Sequence, residues 1–382
     1  MQRLRSREIK LRNRQLIYQY IRKKGSVSRQ DIVVALKMSL PTVTNNLNYL
    51  EQMGLVDTSR KIQTIGGGRN ATAYTYIQNP KFAIGAYLTE HHISVVSVDF
   101  SGRVVNQLKE HILFEPDNVL YLQKLGEMVE KVKVMSKILD EDLLGVGIAV
   151  PGLVSEDGEE VTYGKTFNVS GRDFTGKTRT EIAAYIPYPS RLCHDAYTAG
   201  FAELWSNPEL HNAFYLSLVN SIGGCVIVNN EIYEGDTHKG GLVEHMVLVP
   251  QNGETCYCGK KGCFDTLCRA GILDAYTDGS LEDFFRLLKE GDAGAAKLWD
   301  VYLDNLALGI SNIRVMLDCT IVLGGYVGSF ISDYLDELCK RIDERFPFDD
   351  KAETYVKQCS CVTEASASGA ALQYIRNFIE NI

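Results

Sequence analysis

Cys256-Tyr257-Cys258-Gly259-Lys260-Lys261-Gly262-Cys263 places three thiols within eight residues. Thiolates at that spacing, joined by a turn of glycine and lysine, can converge on one soft cation, and Zn²⁺ is the usual occupant. A tetrahedral site needs a fourth donor. His245, eleven residues before Cys256, is the nearest imidazole, and Cys268 competes for the same role. Four protein donors would close the coordination shell and leave no position for an activated water, so the chemistry expected of the ion is structural. Other cysteines are scattered along the chain. Cys193, Cys225, Cys319 and Cys339 read as small buried apolar residues of a reducing compartment.

A second constellation lies near the N-terminus. In Ser39-Leu40-Pro41-Thr42-Val43-Thr44-Asn45-Asn46-Leu47-Asn48-Tyr49-Leu50, Ser39 can cap a helix and Pro41 suits its first turn. Val43, Leu47 and Leu50 recur on one face. The opposite face is expected to present Thr42, Thr44, Asn45, Asn46 and Asn48, short polar side chains that approach phosphates and base edges, with Ser39 at the helix start.

The elements around this helix would position it as a reader of DNA. Residues 7–23 form a helix by periodicity, with Ile9, Leu16, Ile17, Tyr20 and Ile21 sharing a face, and Gly25 stops it. Ser28 and Asp31 make a capping box that opens the next helix, whose Ile32, Val33 and Leu36 point inward. Strands at 55–57 and 73–77 flank Ile65-Gly66-Gly67-Gly68-Arg69-Asn70, a tip carrying Arg69. Two short helices, a polar outer face and a basic tip describe a winged helix-turn-helix with Arg69 aimed at a minor groove. The helices alone would also suit a protein-binding module.

Charge favours the nucleic acid. Residues 1–80 hold fourteen Lys or Arg against four Asp or Glu, a net of +10, while the whole chain carries −8, which leaves −18 on the remainder. A basic head on an acidic body suits a phosphate-binding module attached to a regulatory domain. At 382 residues the chain should form two or three domains. It contains no apolar run of membrane-spanning length and no secretory core near its start, so a cytoplasmic protein without membrane attachment is expected.

From residue 82 strands and helices alternate. A three-stranded meander (82–88, 93–99, 104–105) precedes a helix near 117–138 and an apolar strand at 144–150. The order then repeats: strands at 213–218, 224–228 and 232–233, a long helix near 296–316, and a strand at 320–325. Repetition of element order implies two related α/β lobes with a cleft between them.

Gly145-Val146-Gly147-Ile148-Ala149-Val150-Pro151-Gly152, the Asp195-Ala196 segment, Gly223-Gly224, Gly240-Gly241 through His245, the cysteine cluster, Gly324-Gly325 and Ser368-Gly369-Ala370-Ala371-Leu372 occur in the order of ROK proteins. The chain resembles this family over essentially its whole length, and in particular the branch that adds a winged helix-turn-helix to a sugar-kinase-like body. The resemblance implies an α/β actin-like (ribonuclease H-like) two-lobed fold. It implies a DNA-binding domain over 1–79 and a kinase-like domain over 80–382. Lobe one would cover about 80–195 plus the C-terminal helix, and lobe two about 196–360.

It also implies a structural Zn²⁺ on His245, Cys256, Cys258 and Cys263 beside a pocket for a sugar or sugar derivative. Asn168, His194, Asp195, Glu244, His245 and Asp265 are the polar candidates for that pocket. Three positions depart from the family pattern: His194 replaces Asn, Leu242 replaces a Glu, and Asp265 replaces a Glu. The kinases' Asp-x-Gly-Gly-Thr phosphate loop falls on Tyr87-Leu88-Thr89-Glu90-His91, where the Asp and both glycines are lost. Asp195 holds the position of the kinase base. The expectation is therefore a repressor without enzyme activity, a homodimer or tetramer on a palindromic operator. A sugar kinase with a regulatory head, or a repressor governed by a protein partner, would be the alternatives.

Overall fold

The computed structural model describes residues 6–59, 61–62, 71–77, 79–165, 173–361 and 364–382. In the head, helix Ser6–Lys24 ends at Gly25, which takes the left-handed φ of +78°. Ile17, Tyr18 and Ile21 form its buried face, whereas Ile9 and Leu16 are 46% and 38% exposed. The apolar stripe is thus rotated from the expected one toward Tyr18. The Ser28–Asp31 capping box opens helix Arg29–Leu36, and Lys37 closes it in the left-handed conformation. Ser39 caps helix Leu40–Gln52 by accepting the Thr42 N–H. Strand Ala71–Tyr76 pairs antiparallel with Ser26–Ser28 on one side and with Val56–Asp57 and Lys61–Ile62 on the other. The wing tip with Arg69 lies outside the described residues.

Each lobe is built on a five-stranded sheet of the same topology. In lobe one, Phe82–Leu88, His92–Asp99 and Val104–His111 run as an antiparallel meander, and Leu143–Val150 and then Ser190–His194 add in parallel on the other side of the first strand. Lobe two repeats this with Ala213–Ser217, Gly223–Val228 and Glu231–Tyr233, followed by the parallel strands Thr320–Gly324 and Val356–Gln358. Val119–Met135 and Ala293–Leu317 are the long connecting helices. The third strand runs to His111, six residues beyond the expected 104–105. Its alternating burial is that of a one-sided strand, so backbone pairing sustains it through polar Asn106, Gln107 and Lys109. Cys193, Cys225, Cys319 and Cys339 are all buried.

The C-terminal helix Ala365–Asn381 returns to lobe one and lies across its sheet. The contact is backbone to backbone. A Cβ on Gly85 would strike the Ala367 carbonyl, one on Gly147 the Ala370 carbonyl, and one on Gly369 the Thr198 carbonyl of helix Asp195–Ser206. The same helix reaches the head. Phe378 packs edge-on against Phe100, which packs edge-on against Tyr18 of the first helix, with ring centroids 5.9 and 6.2 Å apart. Gln15 Nε2 donates to the Glu380 carbonyl at 2.7 Å. Head and lobe one therefore share one continuous apolar cluster.

Gly369→Ala places a methyl group where the Thr198 carbonyl stands. Overpacking of this kind costs about 1–3 kcal/mol, so the urea midpoint should fall. An unchanged midpoint would show that the close approach does not support the fold.

Candidate effector cleft and metal centre

His245 ends the short 3₁₀ turn Val243–His245, and the three cysteines lie on the loop that follows. Two isolated bridges fold that loop back on itself, Val247 with Cys263 and Thr255 with Lys261. At its tip the Cys256 N–H donates to the Lys260 carbonyl and the Gly259 N–H to the Cys256 carbonyl, each at 2.8 Å. Gly262 adopts φ +71°, and a Cβ there would strike the Val249 carbonyl, so the place admits no side chain.

This folding brings one donor atom from each of His245, Cys256, Cys258 and Cys263 within 4.8 Å of one another. Cys258 Sγ lies 3.7 Å from Cys263 Sγ, and Cys256 Sγ lies 3.7 Å from His245 Nδ1. Two sulfurs each about 2.3 Å from a tetrahedral centre lie about 3.8 Å apart. The residues present therefore fit a metal ion. Cys268 is not among them: it is buried, and its thiol is directed at the Tyr302 carbonyl, 3.8 Å away. As a competing fourth ligand it is ruled out by that orientation.

This His–Cys cluster forms part of one wall of the interlobe cleft. His194, Asp195, Glu244 and His245 line a single cavity of about 320 Å³, together with Tyr257 and Cys258. Asp195 begins helix Asp195–Ser206, so its carboxylate sits at the helix N-terminus. One oxygen accepts the Ala196 N–H at 2.8 Å, and the other accepts the Tyr87 hydroxyl at 2.9 Å. Burial pushes the Asp195 carboxyl up to about 6 against those two hydrogen bonds. Burial lowers the neighbouring His194 to about 4, so its imidazole is neutral at pH 7. Glu244 is also buried, and desolvation holds its carboxyl well above the usual range. His194 Nδ1 and Glu244 Oε2, both in residues of this cavity, are buried polar atoms without a partner among the described residues.

Asp265 is placed differently from the other pocket candidates. One of its oxygens accepts the Ile222 N–H at 2.8 Å and the Ser221 hydroxyl at 3.1 Å, tying down the loop between two strands of lobe two. It lines the adjoining part of the cleft instead. Asn168 lies outside the described residues. Tyr257 and the Tyr87 hydroxyl were not anticipated as cleft groups. The Cys-Tyr-Cys pattern did hold a signal, because two cysteines turned toward one cluster leave the residue between them to face elsewhere. The Tyr257 ring packs against His245 at 4.9 Å and lines both parts of the cleft.

At the position of the kinase phosphate loop, Thr89–His91 make a tight turn. The Thr89 N–H donates to the His92 carbonyl, the Thr89 hydroxyl accepts the His92 N–H, and the Glu90 carbonyl accepts the Phe114 N–H, all at 2.9 Å. Thr89 and Glu90 are each only 8% exposed, so side chains occupy the space beneath this turn.

On the head, Thr42, Thr44 and Asn45 lie along the first turns of helix Leu40–Gln52, with Ser39 at its cap. Asn46 does not join them. It is 7% exposed and its Nδ2 donates to the Thr42 carbonyl at 2.8 Å, which places it on the inner side of the helix. The outward placement expected for Asn46 is thus corrected.

The sequence model of the ROK family matches residues 88–376. The chain belongs to the ROK family. The xylose repressor of Bacillus subtilis is 24% identical over 310 residues, covering 80% of this chain and 79% of the repressor. A solved ROK family transcriptional regulator, a homologue of the E. coli MLC protein, superposes with a TM-score of 0.75 at 20% identity over 98% of this chain and 97% of that one. A ROK family glucokinase from Streptomyces griseus gives a TM-score of 0.62 at 18% identity over 76% of this chain and 98% of the kinase. The fold is accordingly the two-lobed fold of ROK regulators and ROK sugar kinases. Among the described residues no helix is long and apolar enough to cross a membrane.

A raised Asp195 means that the folded chain binds a proton the unfolded chain releases near pH 4. Stability contributed by that proton falls as pH rises from about 4 to 6 and then levels off. Asp195→Asn has no such charge to bury. Its melting temperature relative to wild type should climb across that window and stay level from pH 6 to 8. A difference that is constant from pH 4 to 8 would contradict the assignment.

Proposed function

We propose that this chain is a DNA-binding transcriptional repressor of carbohydrate genes, controlled by a sugar or sugar derivative in the interlobe cleft. The observation that carries this reading is the joining of a helix-turn-helix head to a cleft in which His194 Nδ1 and Glu244 Oε2 lack partners among the described residues. A buried polar atom without a partner costs free energy that a ligand's hydroxyl groups can recover. A pair of chains related by two-fold symmetry would read a palindromic operator in the cytoplasm. Helix Leu40–Gln52 would enter the major groove with Thr42, Thr44 and Asn45, Ser39 would face phosphate, and Arg69 would reach the minor groove. Ligand would bias the lobe arrangement, and through the shared apolar cluster the spacing of the two heads.

Several features support binding over phosphoryl transfer. The Tyr87 hydroxyl engages the carboxylate that a kinase would use as base. Side chains fill the turn at Thr89 and Glu90, and the Ile222 amide is committed to Asp265. A phosphate cradle needs free amides and room for backbone to approach. The metal in this reading is a structural Zn²⁺ held by His245, Cys256, Cys258 and Cys263. Bound there, it would fix the loop that presents His245 and Tyr257 to the cleft.

The repressor reading is tested by fluorescence anisotropy on an operator duplex selected with the wild-type protein, titrated with a sugar panel. A sugar should change the affinity for DNA, and Glu244→Ala should retain DNA binding while its sugar response weakens tenfold or more. Asn45→Ala should lower DNA affinity by about tenfold or more, a loss of roughly 1–3 kcal/mol. Affinity should also fall steeply with salt. A protein with no affinity for any selected duplex would refute the reading.

Elemental analysis tests the metal. About one zinc per chain is expected, with Cys258→Ser losing zinc and melting at lower temperature. A wild-type protein without zinc, and with unchanged melting in a chelator, would exclude the assignment.

A further inference from the structure

The cleft continues past Asp195. A second cavity, also about 320 Å³, opens on the far side of that carboxylate and includes Tyr87, Glu90, Arg269, Asp274 and Tyr326 in its lining. The two cavities share Pro151, Asp195, Val219, Ser221 and Tyr257, so they are two halves of one trough. Each half lies near the lower end of the size range for small-molecule pockets, roughly 300 to 1,000 Å³. One sugar ring suits one half. It leaves the other half unfilled.

The chemistry of the second half selects its occupant. Among the described residues four carboxylates, Glu90, Asp195, Asp265 and Asp274, line it against the Arg269 guanidinium and the His91 imidazole. Such a balance repels a phosphate or any other polyanion. Two amides beside this half are already committed, Thr89 to the His92 carbonyl and Ile222 to Asp265. Carboxylates are strong acceptors for hydroxyl groups. The rings of Tyr87, Tyr257 and Tyr326 add aromatic surface, and the electron-rich face of an aromatic ring attracts the weakly positive C–H face of a pyranose. Hydroxyl acceptors and aromatic walls, with carboxylates outnumbering cations, describe a saccharide subsite.

Resting on the effector reading of the first half, we infer that the second half is a subsite for a second, uncharged sugar residue, so that the effector is a neutral disaccharide or longer saccharide lying across Asp195. The half of the cleft that corresponds to the phosphate loop of a kinase then serves saccharide length. Asp195, bridged by the Tyr87 hydroxyl, stands at the junction of the two rings. Monosaccharides would occupy the first half alone and bind more weakly.

Isothermal titration of the full-length protein tests this with glucose, xylose and N-acetylglucosamine, their β-1,4-linked dimers, maltose and Mg-ADP as probes. The best disaccharide should bind at least tenfold more tightly than its own monosaccharide, and Mg-ADP should neither bind nor compete. Tyr326→Ala should bring the disaccharide down to the affinity of the monosaccharide while leaving the latter unchanged. Asp274→Asn, a milder change, should move the same ratio if Tyr326→Ala does not fold. Equal affinity for both saccharide lengths, a ratio untouched by the variants, or binding of Mg-ADP would overturn the inference while the effector reading stood. If no saccharide binds although DNA binding is intact, the effector reading fails and the inference fails with it.

Discussion

Contact between bare backbones holds this molecule together at its centre. The C-terminal helix lies on lobe one where Gly85 and Gly147, on neighbouring strands, offer no side chain, and it meets helix Asp195–Ser206 where its own Gly369 offers none. Close approach lets one helix touch three elements at once. It packs on the sheet whose outer turn is Thr89–His91. It braces the helix whose first residue is Asp195, at the floor of the cleft. Its last turns carry Phe378 to the aromatic contact with Phe100 and hence to Tyr18 of the head. Cleft geometry and head position thus depend on the same few ångströms of packing.

The wall opposite is organised by a loop with little regular structure of its own. Its form follows from donor convergence, with Gly259 and Gly262 supplying the left-handed turns that let three thiols and an imidazole meet. Two consequences reach the cleft. Tyr257, held between two cysteines of the converging cluster, becomes a lining residue, and Asp265, two positions after Cys263, clamps the Ser221–Ile222 loop. A carboxylate read as a ligand contact therefore works mainly as a brace.

Features set by local rules were legible in the sequence. The Ser28 and Ser39 caps, the left-handed glycines and the convergence of His245 with the cysteines depend on neighbours in the chain, and spacing reveals them. Features set by distant partners were not. Asn46 is polar and reads as surface, yet its amide finds the Thr42 carbonyl one turn back and is buried. Tyr18 reads as a flank of the first helix until Phe100 and Tyr76 surround it. Polar residues of 106–110 hide a strand that exists because His92–Asp99 pairs with it. The importance of Glu244 lies in a missing partner, which no one-dimensional pattern displays.

The aromatic seam between head and body bears on how separable the two are. On paper the head is a separable cassette, a basic segment ahead of an acidic enzyme-like domain. In the folded chain Ile17, Tyr18, Phe100, Ala367 and Ile375 belong to one apolar cluster, with Phe378 packed against it. A head without an aromatic ring at the place of Tyr18 would leave Phe100 without that edge-on partner. A change at this seam therefore reaches both parts of the chain at once, and the basic segment is joined to the body as one packed unit rather than tethered to it.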